Sequence, residues 1–300
     1  MVYPSFISSM TTAVQVSESW PEISGIRNLV IFGDSYSSVG YRGQGGNKAP
    51  RPEQPLGVNF PGHPLEMWNE EGTPNWVGHL LTKYMPAPRF NPDAREQDGG
   101  YAKEPLLIYD YAIGGNTISG VEHQFENLFM GDGGVGTRPE WAPWKSEDTL
   151  FVTWIGINDC AYAKKHEQDL SRLFKIQERL YDAGARNFLF VDVPPINRSP
   201  AVPEDRADQA SGSYDDWNTR LRSGVKPFAE SHADASVFLF SSYASFNNLL
   251  DNYTDYGFKQ DDLHRAFRAI WNDNLHPTSK VHDILASDIY SFLYSIPRKS

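Results

Sequence analysis

Five short apolar segments recur along the chain, and each is followed by residues typical of turns. Such runs, rich in Val, Ile, Leu and Phe, indicate strands buried on both faces of a parallel sheet. The predicted strands cover residues 28–33, 106–112, 149–155, 187–193 and 237–240. Between them, apolar residues recur at helical spacing, as Leu170, Leu173, Ile176 and Leu180 do. The predicted helices cover residues 74–85, 119–130, 167–183, 214–232, 243–250 and 279–295.

The alternation of strand and helix predicts an α/β fold with a parallel sheet and helices on both faces. A length of 300 residues fits one large domain, and we expect residues 1–300 to form it. Residues 1–27 are expected to be an irregular lead-in. Residues 37–73 are rich in Gly, Pro and Asn, and we expect a long loop that forms a wall of the pocket.

Composition narrows the possible partners. The net charge of -11 argues against nucleic acid or an anionic membrane surface as a partner. No apolar run reaches about 18 residues, so no transmembrane helix is predicted. The first 20 residues lack the basic start and apolar stretch of a signal peptide. We therefore expect either a cytoplasmic protein or a secreted one whose signal peptide has been removed. The oligomeric state cannot be read from the sequence.

Chemistry-bearing residues follow three of the predicted strands. They are Gly33-Asp34-Ser35, Gly114-Gly115-Asn116 and Gly156-Ile157-Asn158-Asp159. In an open α/β sheet, ligands bind outside the carboxyl ends of the strands, so these turns are expected to share one rim. A fourth segment, Asp273 to His276, precedes the last predicted helix. Each segment alone is also typical of an ordinary turn or helix start.

Together the four segments supply what ester hydrolysis by a serine requires. Ser35 is the candidate nucleophile, His276 the base and Asp273 the acid that orients it. The backbone amides of Ser35 and Gly115 and the side-chain amide of Asn158 are candidate oxyanion donors. Gly114 is the alternative to Gly115, but we prefer Gly115.

The same four segments resemble the blocks of the GDSL/SGNH hydrolase superfamily, which contribute Ser, Gly, Asn and His. Tyr36 stands where the name of that family has Leu. The resemblance extends from about residue 28 to the C-terminus. The spacing between blocks and Tyr253-x-x-Tyr256-Gly257-Phe258 are similar to the plant and fungal branch. The first third, rich in Trp and Tyr, resembles fungal acetylesterases of carbohydrate esterase family 16.

The resemblance implies a flavodoxin-like three-layer α/β/α sandwich with a five-stranded parallel sheet. It also implies a serine esterase that needs no metal or cofactor. The expected substrates are short-chain esters, above all acetyl esters of carbohydrates such as acetylated xylo-oligosaccharides. Two alternatives stay open: a lipase or thioesterase for longer acyl chains, and a non-catalytic flavodoxin-like binding module.

Several residues are candidates for binding the substrate. Trp68, Trp141 and Trp144 are predicted to lie in loops, where an indole can stack on a sugar ring. Asp34 is grouped with them, although its first expected role is to hold the nucleophile turn by hydrogen bonds. The role of His63, in the long loop, is left open.

Two further patterns do not change this interpretation. Residues 131–136 match the dinucleotide fingerprint Gly-x-Gly-x-x-Gly, but a predicted helix rather than a strand precedes them. His264, His276 and His282 with Asp261 and Asp262 fit no standard set of metal ligands. We therefore expect no nucleotide cofactor and no metal.

Overall fold

A six-stranded mixed sheet forms the centre of the computed structural model, which describes residues 8–43, 49–85, 87–162 and 165–299. Its strands are β1 (Thr12–Gln15), β2 (Asn28–Gly33), β3 (Leu107–Asp110), β4 (Thr149–Trp154), β5 (Asn187–Val191) and β6 (Ser236–Phe240). Their spatial order is β1-β6-β5-β4-β2-β3. All neighbouring strands are parallel except β1 and β6. Every residue of β2 and β4 is buried, as the apolar runs predict.

The prediction of a five-stranded sheet is wrong, because the sheet has six strands. The additional strand is β1, which lies in the segment expected to be an irregular lead-in. This strand pairs antiparallel with β6, with Thr12 opposite Leu239. The side chain of Gln15 donates hydrogen bonds to the carbonyl oxygens of His232 and Ala235, at 2.8 and 2.7 Å. A four-residue, partly exposed edge strand has no apolar run to reveal it, and its partner lies more than 200 residues away. Residues 1–7 of the expected lead-in lie outside the described residues.

The five parallel strands follow the flavodoxin-like order, since β3 and β2 precede β4, β5 and β6 across the sheet. The chain first moves from β2 to β3 and then returns past β2 to β4. This reversal makes the space between the ends of β2 and β4 the switch point where such folds bind ligands. Gly33 and Trp154 are paired at that point.

Nine α-helices are present in the described part of the chain. They are α1 (Glu22–Gly25), α2 (Trp76–His79), α3 (Gly99–Lys103), α4 (Ile118–His123), α5 (Ile157–Tyr162), α6 (His166–Asp182), α7 (Ala207–Ser231), α8 (Ser242–Asp251) and α9 (Ser279–Tyr294). Helices α2 and α4 continue as π-helical turns, Leu80–Tyr84 and Gln124–Phe129. No described helix has the length and hydropathy needed to cross a bilayer.

Eight of these nine helices form two packed groups. Helices α1, α2 and α8 contact α9, whereas α4 and α7 contact α6, and α5 contacts α7. Right-handed crossovers explain the division, because the chain crosses the sheet in opposite directions before and after β3. The long α9 packs with α2 and begins at Ser279, three positions after His276.

Candidate active site

Three predicted site residues form one chain of hydrogen bonds at the rim of the sheet. The Nε2 atom of His276 lies 2.9 Å from Oγ of Ser35, 241 residues away in sequence. Its Nδ1 atom lies 2.7 Å from Oδ2 of Asp273. Both Ser35 and His276 are 6% exposed, which keeps the hydroxyl and the imidazole largely out of bulk water while one edge stays accessible. The arrangement lets the imidazole accept the hydroxyl proton while the carboxylate faces the opposite nitrogen.

The Asp273 side chain organises its own loop as well as the histidine. Its Oδ1 atom accepts hydrogen bonds from the backbone N–H of Leu275 and of His276, both at 2.7 Å. Burial raises the pKa of Asp273, but the hydrogen bonds from His276 and Leu275 outweigh burial and hold it below its ordinary value. The carboxylate is therefore ionised at neutral pH and can stabilise a protonated His276.

The nucleophile turn is held by Asp34, which does not reach the substrate side. Its Oδ1 atom accepts from the backbone N–H of Tyr36 at 3.1 Å, and its carbonyl accepts from Ser37 and Ser38, both at 3.1 Å. Asp34 is 0% exposed, so its grouping with the substrate-binding residues is wrong, whereas its expected role in the turn agrees with these bonds. Burial and the nearby Asp159 raise the pKa of Asp34 to about 7.

The three candidate oxyanion donors follow β2, β3 and β4, which are neighbours in the sheet. In the described chain, no intramolecular hydrogen bond uses the backbone N–H of Ser35 or of Gly115. Gly115 has φ of +77°, a left-handed conformation that favours glycine, and a Cβ there would meet nothing within 4 Å. Asn158 is 7% exposed in the first turn of α5, where its Nδ2 donates to the carbonyl of Asn116 at 2.9 Å. One N–H of that amide remains for a ligand.

A buried glutamine that the sequence did not reveal as a site residue connects these turns. Gln124 is 0% exposed at the start of a π-helical turn. Its amide accepts from the N–H of Gly33 at 3.0 Å and donates to the Gly33 carbonyl at 2.8 Å. It also donates to Oδ1 of Asn116 at 2.9 Å. The sequence pattern that could have indicated Gln124 is a polar residue three positions after Val121, on the apolar face of the helix.

The three candidate tryptophans have different surroundings. The indole of Trp68 is 40% exposed, and its ring centre lies 4.8 Å from that of His276. The same indole covers Gly114, where an added Cβ would come within 2.6 Å of the ring. Trp144 is buried, with its Nε1 donating to the Val135 carbonyl at 2.7 Å, so it cannot stack on a sugar. Trp141 packs against the core, with its ring centre 6.5 Å from that of Tyr109.

The structure also shows the setting of the glycine-rich segment 131–136 and of His63. Residues 131–136 follow a π-helical turn and enter the short 3-10 turn Val135–Thr137, not the strand-to-helix setting that binds a dinucleotide. No group of three or more metal-ligating side chains is found in the described ranges. His63 is exposed, and its Nδ1 accepts from the backbone N–H of Leu65 at 3.3 Å.

Comparison with known proteins identifies a family model and two relatives that match this chain. The family model described as GDSL-like lipase/acylhydrolase matches residues 29–289. An acetylesterase from Thermothelomyces thermophilus is 30% identical over 284 residues, which cover 87% of this chain and 86% of the relative. A GDSL esterase/lipase from Arabidopsis thaliana is 25% identical over 124 residues, covering 39% of this chain and 30% of that protein.

A solved structure shares the fold. An acetylxylan esterase from Geobacillus stearothermophilus superimposes with a TM-score of 0.51 at 14% identity, over 94% of this chain and 96% of that one. At this level of identity the similarity concerns the architecture alone.

Proposed function

The chain belongs to the GDSL-like lipase/acylhydrolase family and is a carboxylic ester hydrolase, and on that premise we propose that it removes acetyl groups from carbohydrates through an acyl-enzyme on Ser35. The observation that carries the proposal is the continuous hydrogen-bonded series Asp273–His276–Ser35, with distances of 2.7 and 2.9 Å. Nucleophile, base and orienting acid in hydrogen-bond reach are what activation of a serine requires.

In the first half of the proposed reaction, Oγ of Ser35 attacks the ester carbonyl carbon and its proton passes to Nε2 of His276. The carbonyl oxygen becomes an oxyanion, which accepts hydrogen bonds from the N–H groups of Ser35 and Gly115 and from Nδ2 of Asn158. Asp273 stabilises the imidazolium. The C–O bond to the alcohol then breaks, and His276 returns the proton to the departing oxygen.

In the second half, water attacks the acetyl-serine while Nε2 of His276 takes its proton. The tetrahedral intermediate forms against the same donors and collapses by breaking the bond to Oγ. His276 then protonates Oγ, which regenerates Ser35 and releases acetate. The same residues therefore serve both halves, with the imidazole alternating between base and acid.

Two observations support a carbohydrate acetyl ester as the substrate. The relative with 30% identity is named an acetylesterase. The exposed indole of Trp68 beside His276 offers a flat apolar face at the site, of the kind that packs against the face of a sugar ring. We infer that Trp68 contacts the sugar and that the acyl group occupies the space next to Gly115.

A series of 4-nitrophenyl esters with two, four and eight acyl carbons tests the proposal. We expect kcat/KM to be greatest for the acetate, and acetylated xylo-oligosaccharides to release acetate. Ser35→Ala, purified in the same way, measures the background. A preference for eight carbons would instead indicate a lipase or thioesterase. Absence of turnover on every ester, with no reaction towards an organophosphonate, would indicate a non-catalytic binding module.

A further inference from the structure

Tyr36, the residue that departs from the family pattern, is bonded to the segment that carries the base. Its hydroxyl donates to the carbonyl oxygen of Leu275 at 2.8 Å, across 239 residues of sequence. The ring is fully buried, 5.6 Å from the ring of Trp154 and 6.0 Å from that of His276. A leucine here could fill much of the same space but has no donor for that carbonyl.

The accepting carbonyl belongs to the peptide group that joins Leu275 to His276. The oxygen of this group accepts from Tyr36, and its N–H donates to Oδ1 of Asp273 at 2.7 Å. Hydrogen bonds therefore hold both ends of the peptide immediately before the histidine. Fixing this peptide restricts the backbone from which the imidazole projects, and so the direction of Nε2.

The other end of Tyr36 is equally fixed. Its backbone N–H donates to Oδ1 of Asp34 at 3.1 Å, and its peptide bond connects it directly to Ser35. One fully buried side chain thus connects the nucleophile turn with the histidine segment. Burial, followed by the charges of Asp34 and Asp273, raises the pKa of Tyr36 well above its ordinary value, so the hydroxyl remains a donor at every practical pH.

We propose that Tyr36 is a positioning residue that sets the distance between the Ser35 hydroxyl and the His276 imidazole through its hydrogen bond to Leu275. The inference rests on the proposed serine esterase function. It concerns the rate of the chemical steps and not the binding of substrate, because Tyr36 is fully buried. A displacement of about 1 Å between reacting groups can cost up to roughly 100-fold in rate.

Tyr36→Phe tests the inference because it removes only the hydroxyl. We expect kcat for 4-nitrophenyl acetate to fall about 10- to 100-fold with KM changed less than about twofold. Labelling of Ser35 by an organophosphonate should slow by the same factor, since that reaction needs the same activated hydroxyl. Tyr109→Phe, which removes the hydroxyl of another buried tyrosine, is the matched control and should keep the wild-type kcat.

A Tyr36→Phe variant with the wild-type kcat would overturn the inference. So would a higher KM at unchanged kcat, or an equal loss of kcat in Tyr109→Phe. If Tyr36→Phe does not fold, Tyr36→Leu, which carries the family residue, replaces it, and the wild-type kcat in that variant overturns the inference as well. A wild-type protein without turnover or labelling would refute the proposed function itself, whereas an active wild type with an unaffected Tyr36→Phe refutes only the role of Tyr36.

Discussion

The two halves of the candidate site are built in different ways. Ser35, Gly115 and Asn158 follow β2, β3 and β4 closely, and we call them the strand-end half. Asp273, His276 and Trp68 lie in segments outside the helices and strands, and we call them the loop half. Parallel pairing of β2 with both β3 and β4 brings the first three turns to one rim, so the backbone of the sheet determines their positions.

The loop half depends on individual side-chain bonds. Asn272 donates to the Trp68 carbonyl at 3.2 Å, and the N–H of Ser279 donates to Oε2 of Glu70 at 2.6 Å. Tyr36 adds the bond to Leu275. The topology of the sheet therefore determines the positions of the strand-end half. The loop half depends on a few long-range contacts that no local sequence pattern indicates.

The largest effect is expected at the nucleophile of the strand-end half. Ser35→Ala should lower kcat about 10⁶-fold, because the base and acid have no hydroxyl to activate. Ser38→Ala, which removes a buried hydroxyl without a hydrogen-bond partner in the same turn region, should stay within a few-fold of wild type. Hydrolysis of 4-nitrophenyl acetate by both variants measures the difference, and equal activity of the two would contradict the assignment.

In the loop half, Asp273→Asn should lower kcat about 10²–10⁴-fold. One oxygen must still accept from the N–H groups of Leu275 and His276, which turns the new NH₂ towards Nδ1 of His276. That nitrogen must then accept, so the proton resides on Nε2 and the ring cannot act as a base. Steady-state kinetics of the variant, with its fold checked by circular dichroism, test this; a kcat within a few-fold of wild type would remove Asp273 from the mechanism.

Returning to the strand-end half, Asn158→Ala should lower kcat about 10²–10³-fold with little change in KM. The reason is that its amide is expected to bond more strongly to the developing oxyanion than to the ester carbonyl. The two constants for 4-nitrophenyl acetate separate these contributions. If KM rises while kcat is retained, Asn158 binds the ground state instead.

The smallest effect on activity is expected at Asp34, whose pKa shift has the opposite sign to that of Asp273. Between pH 4 and 7 the folded chain keeps a proton on Asp34 that the unfolded chain has released, so this group costs stability as pH rises. Asp34→Asn removes that cost and retains an oxygen for the N–H of Tyr36. The free energy of unfolding of Asp34→Asn, minus that of wild type, should therefore increase from pH 4 to 7. The increase should be at most about 1.4 kcal/mol per pH unit, and the difference should then level off.

Urea unfolding at pH 4, 5, 6, 7 and 8 measures this trend. Asp93→Asn, which removes the same charge from an exposed position, corrects for the change in net charge. A relative stability of Asp34→Asn that falls with pH would contradict the raised pKa. Its kcat should decline far less than that of Asp273→Asn, since Asp34 contacts neither Ser35 Oγ nor His276.

Much of the strand-end half could be predicted because its signals are local. Complete burial of β2 and β4 produces apolar runs, and glycine-containing turns at their ends can be read directly from the sequence. The Asp273–His276 pair could be proposed for the same reason, since the acid and the base are only three positions apart. The bonds that position the pair join residues about 200 or more positions apart and leave no comparable signal.

The incorrect predictions concern features for which the sequence has no local pattern. Trp144 lies in a loop as predicted, but contacts with Phe129 and Phe151 in other elements bury its ring, and no local pattern in the sequence indicates that burial. Strand β1 is short and pairs across most of the chain with β6. Helix α5 was not predicted because its six residues, immediately after β4, are too few to show helical spacing.

The most direct measurement of the proposed mechanism is mass spectrometric mapping of the chain after inactivation by an organophosphonate. The activated hydroxyl should displace the leaving group from phosphorus, giving one adduct per chain on the peptide that contains Ser35, in proportion to lost esterase activity. Ser35→Ala should be neither labelled nor active, whereas Ser38→Ala should be both. Complete inactivation without an adduct on Ser35, or a folded Ser35→Ala that still hydrolyses acetyl esters at the wild-type rate, would contradict the mechanism.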